Sequence, residues 1–134
     1  NEAFNRNLTK LNEPRKTAYI LSIVCDQFVT DIDEIVAEHF SLLPDFPRTM
    51  EIVNCPSLKR YYEQVIDFIS TNYNGQLPFD NNPENDFEST PEYQSFSKAM
   101  APFNKAFQDI LEAENIDNYQ IFVRYVKENK HRFA

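Results

Sequence analysis

Residues 15–40 read RKTAYILSIVCDQFVTDIDEIVAEHF, and their continuity decides the fold. Leu21, Val24, Cys25, Phe28, Ile32, Ile35, Val36 and His39 recur at steps of three and four, the period of one helical face. Gln27, Asp31, Glu34 and Glu38 fall on the opposite, polar face. Ala18, Tyr19, Ile20 and Ile23 place further apolar side chains nearly all round the first half, as a helix covered by several neighbours requires. The spacing predicts one long central helix from Arg15 to Phe40.

Shorter helices are expected on either side. Residues 1–13 carry Phe4, Leu8 and Leu11 at helical spacing and read as an arm or short helix ended near Pro14. Beyond the central helix, Pro44 and Pro47 mark residues 41–47 as an apolar loop folded over the core. A helix then starts at Pro56 and runs to about Tyr73, with Leu58, Tyr61, Tyr62, Val65 and Ile69 inward and Gly75 as its left-handed cap. An acidic, flexible loop occupies about 76–89. Thr90 and Pro91 open the next helix, which carries Tyr93, Phe96 and Met100 inward and is kinked or divided at Pro102. Asp117 and Gln120 stand in capping-box spacing before a last helix that docks through Tyr119, Phe122, Val123 and Val126 and ends in a basic run. The expected fold is all-α: one bundle of about five helices over residues 14–134.

Composition narrows the chemistry. The 134 residues include one glycine, whereas phosphate-cradling loops, dinucleotide turns and nucleophile elbows are built with several. A formal charge of −8 disfavours nucleic acid and anionic membrane surfaces as partners, and no apolar run approaches the ~20 residues that span a bilayer. Two cysteines make no disulfide framework, and Cys25 reads as a small buried hydrophobe. The expected compartment is intracellular, in the cytoplasm. The chain begins at Asn1 and reads as a processed product or a piece of a longer protein; Asn7-Leu8-Thr9 is a glycosylation triplet of the kind that arises by chance.

No side-chain cluster spells out a metal or catalytic centre. The run from Asp80 to Glu88 alternates oxygen ligands like a calcium loop, but Asn85 stands where such a loop needs glycine, and Pro91 stands at the twelfth position. Glu128 and His131 have the spacing of one di-metal motif where two are needed, and Val36 stands where a glutamate would pair with His39. No cofactor and no metal are expected. Arg124 and His131, seven apart, are similar to the Arg-x(4–6)-His signature of the helical higher-eukaryote-and-prokaryote nucleotide-binding family, many of whose members are ribonucleases. The resemblance covers eight residues, with Tyr125 in place of the polar residue that commonly follows the arginine. It implies His131 as general acid or base and Arg124 as the stabiliser of a phosphate oxyanion.

Surfaces carry the stronger signal. On the last helix Ile121 and Tyr125 form a second apolar strip, to be covered either by the N-terminal arm or by a partner. Asp31, Glu34 and Glu38 add a row of one sign that steers a basic partner. The expected function is a non-enzymatic helical protein–protein interaction module, self-associating or an adaptor within a larger protein. The alternatives are a ribonuclease-like domain and a bundle that binds a small ligand or a metal.

Overall fold

The computed structural model describes residues 12–133. Among them lie six α-helices: α1 (Glu13–Asp26), α2 (Ile32–Glu38), α3 (Phe46–Ile52), α4 (Pro56–Tyr73), α5 (Pro91–Ala113) and α6 (Asn118–Asn129). Short 3-10 turns occupy Phe40–Asp45, Phe87–Ser89 and Lys130–Arg132. The fold is a single-domain all-α bundle. The arm at 1–13 lies outside the described residues except for its end, where Asn12 caps α1 by accepting from the Arg15 N–H at 3.1 Å and Pro14 sits in the first turn.

The long central helix does not exist. The chain leaves helical geometry after Asp26, turns through residues 27–30 and restarts at Ile32. Gln27, expected on the polar face, is only 4% exposed. Its Nε2 donates to the Tyr61 hydroxyl at 2.9 Å, its Oε1 accepts from the Tyr62 hydroxyl at 2.5 Å, and Tyr61 donates onward to the Phe103 carbonyl at 2.9 Å. A buried amide whose nitrogen and oxygen are both hydrogen-bonded competes well against two more turns of helix. The restart is capped from outside, because the Asn104 side chain of α5 accepts from the Ile32 N–H at 2.8 Å.

Elsewhere the proline and asparagine positions explain the helix ends. Residues 41–47 are regular: Leu42 and Leu43 pack inward from the 3-10 turn, and Pro47 occupies the first turn of α3, which buries Phe46 and Met50. α4 runs from Pro56 to Tyr73 with its five expected apolar residues buried. Its left-handed cap falls on Asn74, φ 56°, one residue before Gly75, φ 74°. Asn54 and Asn115 take the same conformation beyond α3 and α5, where the next N–H closes back to Met50 at 2.9 Å and to Leu111 at 2.9 Å. Asparagine tolerates this conformation because its short polar side chain bonds locally, so the chain ends three helices there with almost no glycine.

The core joins Ile20, Leu21 and Val24 of α1 to the aromatic centre of α4 and α5. Tyr61 meets Phe107 at 5.4 Å and Tyr62 at 4.9 Å between ring centroids, and Tyr62 meets Phe46 at 5.0 Å. Such pairs add about 0.5–1.5 kcal/mol each beyond burial. α5 passes through Pro102 without dividing, so the extra helices relative to expectation are α2, split from α1, and α3.

The segment 76–89, expected to be flexible, is tied to itself and to the bundle. Asp80 Oδ1 accepts from the Asn82 N–H, Asn82 Oδ1 from the Glu84 N–H, and Asn81 donates to the Ala37 carbonyl at 2.8 Å. Phe79 and Phe87 stack at 5.4 Å and both contact Tyr93.

Candidate functional site

The turn between α1 and α2 is held from three sides and presents its tip to solvent. Gln27 anchors it to α4 and Asn104 anchors its exit to α5. From the third side Asn118, the first residue of α6, donates to the Val24 carbonyl at 2.8 Å and to the Cys25 carbonyl at 3.3 Å. With its backbone fixed, the turn leaves Phe28 66% and Val29 80% exposed, although periodicity puts Phe28 in the core. Tyr119, expected to dock α6, is 58% exposed and shares a cleft of about 570 Å³ with Phe28. Phe28 also borders a smaller cleft of about 270 Å³ with Asp31, Asn104 and Lys105. No other large apolar side chain among the described residues stands as far out as these three.

The electrostatics of this corner are acidic. Glu112 and Asp117 border the cleft between Phe28 and Tyr119. Burial first, and then the charges of Asp26 and Asp117, push the Cys25 thiol up, so this cysteine stays protonated and unreactive at neutral pH. Lys105 is committed to Asp109 at 3.0 Å.

The predicted surface residues are distributed between this corner and two neighbouring regions. Asp31 precedes α2 and is exposed, Glu34 is half-buried, and Glu38 is exposed at the end of α2. Burial, reinforced by Asp33, Glu88, Asp31 and Glu38, pushes the Glu34 carboxyl up. Asp33, unremarked in the sequence, is buried and accepts from the Tyr93 hydroxyl at 2.6 Å, joining the start of α2 to α5.

Ile121 and Tyr125 do not form an exposed strip. Tyr125 is 7% exposed within the core and Ile121 is half-buried, because Asn118 fixes the rotation of α6 and turns 118, 121, 122, 125 and 129 toward the bundle. Together they wall a groove of about 740 Å³ that also contains Cys55 and Arg124. Arg124 is exposed on α6, whereas His131 lies beyond the helix end in a 3-10 turn, so one continuous helix does not carry the pair. The same break separates Glu128 from His131.

His39 sits edge-on to Tyr19 at 6.0 Å, and burial lowers its imidazole to about 4. It is neutral at pH 7, so its 3.9 Å approach to Glu38 is not an ion pair there. Among the described residues no three His, Cys, Asp or Glu side chains converge as metal ligands, and no helix is long and apolar enough to cross a membrane.

Asparagine and glutamine are what the periodicity missed. Gln27, Asn104 and Asn118 each cap or anchor another segment, and an amide at the end of an apolar stripe was the available signal. Comparison of the chain with protein-family models, with curated proteins and with solved structures finds no match.

Proposed function

We propose that this domain is a non-enzymatic helical interaction module that engages a protein partner at the α1–α2 corner. The observation that carries this reading is the exposure of Phe28 and Val29 on a turn anchored by the side-chain amides of Gln27, Asn104 and Asn118, next to the exposed Tyr119 of α6. Fully burying one such side chain in an interface gives about 1.5–3 kcal/mol, most of which the domain forgoes while the side chain stands largely in water. Asp31 borders the same corner, Glu34 and Glu38 extend the negative surface along α2, and the groove at Ile121 and Tyr125 offers a second, more recessed contact.

Size-exclusion light scattering and affinity capture of the full chain, compared with Phe28→Asp and Ile121→Asp, test the proposal. Loss of a specific partner or of self-association in Phe28→Asp is the expected outcome. A strict monomer whose captured partners are the same in all three proteins would contradict it.

A further inference from the structure

Resting on that reading, we infer that the α1–α2 corner takes a partner segment whose apolar side chains are flanked by lysine or arginine. The apolar tip has a rim of one sign. Asp26 follows Cys25 at the end of α1, Asp31 borders the smaller cleft at Phe28, and Glu112 and Asp117 border the larger. All four carboxylates are exposed. Among the described residues the one cation bordering these two clefts, Lys105, is already bonded to Asp109. Cys25 and Asp117 both line the larger cleft, and the charges of Asp26 and Asp117 add to burial in pushing the Cys25 thiol up.

Complementarity then selects the occupant. A second copy docked corner to corner sets one acidic rim against another, and like charges juxtaposed in an interface are strongly unfavourable. The chain's net charge of −8 adds repulsion at longer range. A basic rim reverses both effects. Phe28 and Gln108 border both clefts, so a helical partner that covers Phe28 can place successive apolar anchors in the two.

The test is an NMR titration of the full chain with a synthetic amphipathic helix carrying leucine on one face and lysine on the other, and with its glutamate counterpart. The lysine helix is expected to shift Phe28, Val29, Tyr119 and the four rim carboxylates, to bind several-fold more weakly at high salt, and to lose about 30-fold in affinity to Phe28→Asp. Asp26→Lys combined with Asp31→Lys keeps the apolar tip and is expected to transfer the preference to the glutamate helix. Shifts confined to another face, no shifts, or equal binding of both helices would overturn the inference. If a second copy or the glutamate helix occupies the corner and Phe28→Asp removes it, the basic partner is wrong and the interaction reading stands. If nothing that binds the chain responds to Phe28→Asp, both fall.

Discussion

Two places in this chain test helix continuity and give opposite answers. At residues 27–31 an unbroken apolar period, with neither proline nor glycine, is interrupted; at Pro102 a residue that removes a backbone donor sits inside the 23-residue α5. The difference lies in what each alternative does for the core. Breaking after Asp26 turns Gln27 into the buried link between Tyr61 and Tyr62 and lets Ile32, Ile35 and Val36 pack from a new direction. Keeping α5 whole holds Phe96 and Met100 in the same core as Phe107 and Leu111, while Pro102 and Lys98, whose carbonyl loses its helical donor, both lie on the wet side. The two regions meet: Asn104, two residues past the proline, caps the helix that restarts after the break. Tertiary partners decided both cases over local propensity.

Substitutions that break this comparison rank by the size of the expected change in stability. Gln27→Leu leaves the Tyr62 hydroxyl buried without a partner and cuts the link between α1 and α4. It is expected to destabilise by about 2–4 kcal/mol in urea or thermal unfolding. A change within about 0.5 kcal/mol, the usual range for a surface site, would mean that the break has another cause. Pro102→Ala restores a helical N–H on an exposed face and is expected to stabilise by about 1–2 kcal/mol, within the ~3 kcal/mol that separates the two residues in a helix interior. Destabilisation there would mean that the proline shapes a needed bend.

Asn104→Ala is expected to cost about 1 kcal/mol and to speed hydrogen exchange at the Ile32 amide in particular. A pH dependence is of similar size. His39 is held at about 4 against 6.5 when free, so between those values the unfolded chain takes up a proton that the folded one does not. Its contribution is intact above about pH 6.5 and is lost as the pH falls toward 4. Partial exposure reduces it to about 1 kcal/mol, measured as the difference between the pH–stability curves of the protein and His39→Gln.

The helices bounded by proline and capping residues were legible: Pro56 and Thr90–Pro91 mark starts, Asp117 caps α6, and the inward face of α4 follows its period. α6 was legible as a helix but not in its rotation. Apolar residues lie on both of its faces, and the choice between Tyr119 and Tyr125 as the buried ring falls to Asn118 and its long-range bonds to α1. The acidic part of the candidate site was readable at Asp31. Its apolar part was not, since Phe28 continues an uninterrupted stripe until the packing of Gln27 turns the chain away. Long-range amide contacts have no periodicity, and for that reason a pattern of threes and fours passes over them.

The most direct test of the corner as a contact surface pairs stability with association in a single variant, Phe28→Asp. The expected result is a thermal midpoint close to that of the unsubstituted protein, since Phe28 is mostly exposed, together with loss of the domain's partner or self-association. A midpoint lowered by several degrees with association unchanged would show that Phe28 serves the fold, and would remove the corner as the contact surface.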